Sequence, residues 1–222
     1  MSIAFFDLDK TLLAVNSASL WVRQELALGH ITRWQALRAS THLMRYHLGF
    51  VSMREALLRA IEFLEGSTEQ HLRERTTGFY EAHVRSQYRP GALRALEEHR
   101  AAGERLVLLT SSSGYMSELV ARDLRLDAVL CNRFEVDAEG LHTGRPLGEV
   151  CFGEGKRLHA EAYAAQAGVA LSACTFYTDS YSDLPVMKVV GRPVAVHPDR
   201  RLRREALRQG WPVVDWGVPR VE

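Results

Sequence analysis

Several classes of protein are excluded by what the chain lacks. Cysteine occurs only at Cys131, Cys151 and Cys174 in 222 residues. The number is odd and there is no C-x-x-C pair, so neither a disulfide framework nor a zinc site is expected. The three read as reduced, buried thiols of a cytoplasmic protein. No stretch approaches the roughly 20 apolar residues that a membrane helix needs. The opening Met1-Ser2-Ile3-Ala4-Phe5 has no basic region and its apolar run is broken by Asp7, so no signal peptide is expected. Charge of one sign is missing too: 28 basic residues stand against 27 acidic. No global field therefore points to nucleic acid or to a membrane surface as partner. Repeats and low-complexity segments are absent. What remains is an ordinary globular composition, 46% hydrophobic and 25% charged, long enough for one large domain or for a core with a smaller insert.

The stretch Ile3 to Leu13 organises the rest. An apolar run of strand type ends in Asp7 and Asp9, and side chains at i and i+2 of an extended chain point the same way. The two carboxylates are expected to face one point at the mouth of the strand. Two acids that close need a shared proton or a cation, which suits a divalent metal, acid–base chemistry, or both. A strand followed by an Asp-rich turn would show the same Asp7-Leu8-Asp9-Lys10-Thr11, so the remaining strand ends decide.

Helical patterning follows for some seventy residues. Ser17–Leu28 and a helix capped by Thr32 and running to about His47 come first. A capping box at Ser52 and Glu55 then opens a helix to about Glu65, and Ser67 or Thr68 caps one to about Gln87. Short connections join them, as in a small bundle. From Ala92 onward helices alternate with apolar strands at 105–110, 128–131, 175–178, 193–196 and 212–214, interrupted by a hairpin over 133–145. Helices are expected at 92–102, 115–124, 156–167, 184–190 and 200–209. The alternation predicts an α/β, doubly wound parallel sheet of Rossmann-like type with an inserted α-helical unit and a small β-hairpin. Residues 1–14 and 88–222 would form the core and 15–87 the insert. Ligands of such sheets bind along the carboxyl edge of the strands.

That edge carries a consistent set. Thr110 ends a strand and is followed by Ser111-Ser112-Ser113-Gly114, hydroxyls and amides able to hold an anion or simply to cap a helix. Lys156 follows Gly153-Glu154-Gly155 at a helix start, where the macrodipole disfavours a cation unless an anion offsets it. The spacing is not that of a nucleotide-binding P-loop. Asp179 and Asp183 stand at a third strand end. Carboxylates converging with Asp7 and Asp9 need a cation, and an oxygen-only set suits Mg²⁺.

The ordered set of Asp7, Asp9 and Thr11, then Thr110, then Lys156, then Asp179 and Asp183 resembles the motifs of the haloacid dehalogenase superfamily. It looks like the branch with phosphoserine and histidinol phosphatases, whose cap domain is inserted at the same place. The resemblance covers Ile3–Leu13 and about Pro90 to the C-terminus. It implies a Mg²⁺-dependent phosphomonoester hydrolase acting on a small phosphorylated metabolite, such as phosphoserine or histidinol phosphate. Asp7 would be the nucleophile that forms an aspartyl-phosphate, and Asp9 the acid and base. Mg²⁺ would be held by Asp7, the Asp9 carbonyl and Asp179. Thr110, Ser111 and Lys156 would hold phosphate, with Asp183 and Thr11 behind them.

One position departs from the pattern. Phosphoserine phosphatases usually carry an acid nine residues after the nucleophile; here Asn16 stands there. Arg23, Arg38, His42, Arg45 and His47 either read the substrate's far end or form a solvated helix face. A phosphoryl transferase using the same intermediate, or a phosphometabolite-binding protein without turnover, shares these motifs. A signalling receiver domain needs about half this length, and a glycosidase pair about 5 Å apart would leave Lys156 unexplained. Substrate and oligomeric state are not legible.

Overall fold

The computed structural model describes residues 2–29, 53–62 and 64–219. Its strands are β1 (Ile3–Phe6), β2 (Arg105–Ser113), β3 (Ala128–Asn132), β4 (Phe134–Val136), β5 (His142–Pro146), β6 (Thr175–Thr178), β7 (Arg192–Val196) and β8 (Val213–Val214). The helices are α1 (Ser17–Ala27), α2 (Met53–Glu62), α3 (Glu69–Phe79), α4 (Pro90–Ala101), α5 (Gly114–Leu124), α6 (Glu154–Gln166), α7 (Leu184–Met187) and α8 (Arg200–Gln209). Six strands form one sheet in the order β3-β2-β1-β6-β7-β8, every neighbouring pair parallel, and β4 and β5 form a separate antiparallel hairpin. The doubly wound α/β architecture with a small hairpin is borne out.

The short strand β1 lies inside the sheet because it is apolar on both faces. Ala4 and Phe6 pack with Leu106 and Leu108 under α4 and α5, through Ala92, Leu96, Met116 and Val120. Ile3 and Phe5 pack with Val107, Leu109 and Phe176 under α6, α7 and α8, through Ala160, Val186 and Leu202. The two-residue alternation of the strands thus feeds two cores, one per face. Cys131, Cys151 and Cys174 are buried free thiols, as expected.

The helical segment leaves and returns through a narrow neck. Leu13 bridges Tyr88, the Ala14 amide donates to the Gln87 carbonyl at 2.8 Å, and the Arg89 amide donates to Leu12 at 2.9 Å. Within the segment, Trp21 of α1 meets Phe79 of α3 edge-on at 5.1 Å, and the buried Glu25 is ion-paired with Arg75. The hairpin supports it by main-chain bonds: Gly66 to His142, His142 to Ser67, and Glu69 to Gly140, each at 2.9 Å. Thr68, rather than Ser67, caps α3 by accepting the His71 amide. The helix expected to reach Gln87 changes winding after Phe79, to a wider turn over Tyr80–Val84 and a tight one over Arg85–Gln87. The helix placed at 32–47 and the cap at Ser52 lie outside the described residues.

Among the boundaries that differ from the sequence pattern, two have a clear cause. The strand read as ending at Thr110 continues to Ser113, because Ser113 pairs with Asn132 after a register shift. The helix read as 184–190 stops at Met187. The amides of Val189 and Val190 both turn to the Val186 carbonyl, and the chain swings into β7.

Candidate active site

Asp7 is the first residue past β1, and its amide donates to the Tyr177 carbonyl of β6 at 3.0 Å, which continues the sheet pairing by one residue. Leu8 is buried in the core below, and the chain then reverses at Lys10, whose φ of +58° is left-handed. The Lys10 amide closes that reversal on the Val15 carbonyl at 2.9 Å. Thr11 is fully buried, and its hydroxyl has no hydrogen-bond partner among the described residues.

Lys156 reaches Asp7 from the other side because two glycines bring its helix close. Gly153, with φ +54°, turns the chain into α6. A Cβ on Gly155 would stand 2.0 Å from the Val150 carbonyl oxygen, so only glycine fits. Lys156 is 2% exposed and its Nζ donates to Asp7 Oδ1 at 2.7 Å and to Asp183 Oδ2 at 2.8 Å. The Thr178 hydroxyl donates to the same Asp183 oxygen at 2.6 Å. The anions that offset a lysine at this helix start are therefore two of the chain's own carboxylates. Burial alone would lower the Lys156 pKa, but Asp183 and Asp7 outweigh it and hold the ammonium charged.

Asp179 follows β6, and its carbonyl accepts the Asp199 amide at 2.8 Å. Among the described residues no donor bonds to its carboxylate. Burial, then Asp7, then Asp183 push its pKa up to about 8. Asp7 is pushed up to about 7, by burial first, with Lys156 opposing and Asp183 and Asp9 adding. Three acids, Asp7, Asp179 and Asp183, thus surround one lysine.

Asp9 does not join that group directly. Its Oδ1 accepts the Ser17 amide at 2.8 Å, and Asn16 Nδ2 stands 3.5 Å from its Oδ2. The expectation that Asp7 and Asp9 point at one place is modified because Leu8, between them, already belongs to the wide turn 8–12, and because the open amides at the start of α1 draw the second carboxylate sideways. Thr110 lies two residues beyond the Phe6–Leu108 pair on β2, and its hydroxyl accepts the Ser112 amide at 3.2 Å. Ser111 is held by its carbonyl, which accepts from Asn132 Nδ2 at 2.6 Å. Arg23 is exposed on α1; Arg38, His42, Arg45 and His47 lie outside the described residues.

Mg²⁺ is the ion that these oxygen donors suit. Among the described residues no three side chains of His, Cys, Asp or Glu converge as a ready-made cage. Two buried, under-compensated carboxylates, Asp7 and Asp179, flank a main-chain loop with carbonyl groups. That is a fit for an ion that takes one or two carboxylates and keeps water or substrate for its other positions. Sequence reasoning missed Thr178 and Asn132. A threonine ends both β2's apolar run and β6, and that recurrence was the available signal for Thr178. Asn132 carried none, since its partners, Ser111 and the Cys151 amide, are set only by the fold.

Residues 4–188 match the family described as haloacid dehalogenase-like hydrolase. The chain belongs to that family. It is 30% identical to phosphoserine phosphatase SerB1 of Mycobacterium tuberculosis, over 98% of this chain and 71% of that one. It is 26% identical to the histidinol-phosphatase of Neisseria meningitidis, over 97% and 99%. The crystal structure of a protein of unknown function from Bordetella pertussis superposes with a TM-score of 0.88 at 29% identity, over 97% and 99%. The expected class, a phosphatase of the haloacid dehalogenase-like family, is borne out at this coarse level. No helix among the described residues is long and apolar enough to cross a membrane.

Proposed function

We propose that the chain is a Mg²⁺-dependent phosphomonoesterase acting on a small metabolite through an aspartyl-phosphate on Asp7, with residues 15–87 as a cap over the site. The observation that carries this reading is the pair of bonds from the buried Lys156 to Asp7 and Asp183, beside an Asp179 carboxylate to which no donor bonds among the described residues. Asp7, the Asp9 carbonyl and Asp179 would hold Mg²⁺. The ion supplies neutralisation of the charge spread over the phosphoryl oxygens.

The chain's own groups do the rest. An Asp7 oxygen attacks phosphorus in line, forming an acyl-phosphate bond as the ester P–O bond breaks. Asp9 gives its proton to the departing oxygen. It then takes one from the water that attacks phosphorus, releasing phosphate and restoring Asp7. Lys156 favours the anionic form of Asp7 and meets the phosphoryl oxygens, Thr110 and Ser111 bind them, and Asp183 with Thr178 fixes the lysine. Thr11 supports the loop. The relatives' names favour an amino-acid or amino-alcohol phosphate. Asn16, a neutral amide committed to Asp9 and to the Ser19 amide, offers no carboxylate there to a substrate amine.

Phosphate release from a panel of amino-acid, amino-alcohol, sugar and nucleotide monoesters tests this. Activity is expected with Mg²⁺, is abolished by EDTA, and is lost in Asp7→Asn. Release that survives Asp7→Asn would overturn the assignment of the nucleophile.

A further inference from the structure

Arg89 stands before the Pro90-Gly91 break in the sequence and has no place in the motif set. In the structure it is 5% exposed and joins three distant segments. Its Nε donates to the Lys10 carbonyl at 3.2 Å. Its Nη1 donates to the Gly217 carbonyl and, at 3.2 Å, to His197 Nε2. The Trp216 amide donates to the same imidazole nitrogen at 2.9 Å. Asp215 Oδ1 stands 2.9 Å from that nitrogen as well, so His197 is the meeting point of Arg89, Trp216 and Asp215. Burial, then Arg89, lowers the His197 pKa in keeping with a neutral ring, although Asp215 opposes them.

Among the described residues no carboxylate bonds to this guanidinium; Asp215 and Asp179 act on it only through space. A buried cation without a direct counter-ion costs stability, so its retention calls for something an apolar side chain would not do. Lys10 supplies that reason. Its left-handed backbone is strained for a residue with a side chain, and it lies between Asp9 and Thr11. Arg89 grips that loop twice, by its amide to Leu12 and by its side chain to Lys10. The other end of the guanidinium is anchored on Gly217, beyond the 4–188 stretch that matches the family.

We propose that Arg89 is a positioning residue: it ties the C-terminal segment 213–217 to the loop 8–12 and so fixes Asp9 relative to Asp7. It touches neither substrate nor reacting atoms, and the proposal rests on Asp7 and Asp9 acting as stated above. Lysine in its place keeps the charge but lacks the fork that serves separate acceptors.

The test is Arg89→Lys in the full chain, with kinetics and amide hydrogen exchange measured together. The expected result is a kcat lowered about 10- to 100-fold with KM nearly unchanged, and faster exchange confined to residues 8–13 and 213–217. Millimolar guanidinium is expected to restore kcat in Arg89→Ala but not in Lys156→Ala. Wild-type kcat and exchange in Arg89→Lys would overturn the proposal. So would a loss of kcat in step with the unfolded fraction and insensitive to guanidinium. Wild-type protein that releases no phosphate would defeat the proposed function instead, and the exchange of residues 8–13 would still decide the tether.

Discussion

Asp9 Oδ1 accepts the amide hydrogen of Ser17 at 2.8 Å, so the carboxylate proposed to move protons is bound to the first turn of the inserted helices. Burial raises its pKa, and the Ser17 amide works against that rise. The neighbouring Asn16 serves both ends of this link, capping α1 through the Ser19 amide at 2.8 Å and approaching Asp9 with its Nδ2.

Asn16→Asp separates those two roles. Aspartate caps a helix as well as asparagine does, so folding is expected to be nearly unchanged, but a second carboxylate then faces Asp9. Like charge raises the pKa further. The alkaline limb of the kcat/KM profile is expected to move to higher pH, while Asn16→Ala lowers the melting temperature by about 2–4 °C without that move. An Asn16→Asp profile superimposable on wild type would mean that Asp9 does not control the limb.

Lys156→Met removes the cation shared by Asp7 and Asp183. Breaking a buried pair from one side costs about 3–5 kcal/mol. That loss is expected at pH 8 in chemical denaturation, together with loss of phosphate release. The deficit shrinks towards pH 5 as Asp7 takes up a proton. A variant equally destabilised at both pH values would contradict the buried pairing.

Without metal, Asp7 and Asp179 titrate at about 7 and about 8 in the folded chain, against 3.8 for an ordinary aspartate. Between those values the folded state binds more protons than the unfolded one, so stability falls as pH rises. The contribution is complete below pH 3.8 and is lost through pH 7 to 8. The melting temperature in EDTA is expected to fall across that upper window. Saturating Mg²⁺ should reduce the fall, since it binds the folded form. A flat curve in EDTA would count against the burial of these two acids.

Gly155→Ala forces a methyl against the Val150 carbonyl. Overpacking of this kind costs about 1–3 kcal/mol, and the shift of α6 carries Lys156 away from Asp7. Thermal melts and kcat should both drop, and more than in Gly168→Ala, where a Cβ meets nothing within 4 Å although φ is +67°.

The parallel sheet and the motif positions were legible because both are local patterns. β1 and the strand at 105–110 are apolar runs, and Asp7, Thr110, Lys156 and Asp179 each sit where a run ends. What escaped was set by contacts between distant segments. Thr178 looks like the last residue of a strand until Asp183 folds back on it. Asn132 holds Ser111 and Cys151 only once β2 and β3 are paired. Arg89 and Gly217 are 128 residues apart, and nothing near either announces the other. The sideways turn of Asp9 was hidden for a related reason: the two-residue rule holds for extended backbone, and the wide turn already begins at Leu8, between the two acids.

The place of β1 between β2 and β6 also has a consequence in time. Ala4 pairs with Leu106 on one side and Thr175 on the other. A ribosome adds roughly 5–20 residues per second, so the strand bearing Asp7 waits about 10–30 s of synthesis before its second neighbour exists. Until then an apolar segment with unpaired amides is available to other chains. Slow folding at low temperature, or crowding by nascent copies, is expected to penalise this protein through its first strand.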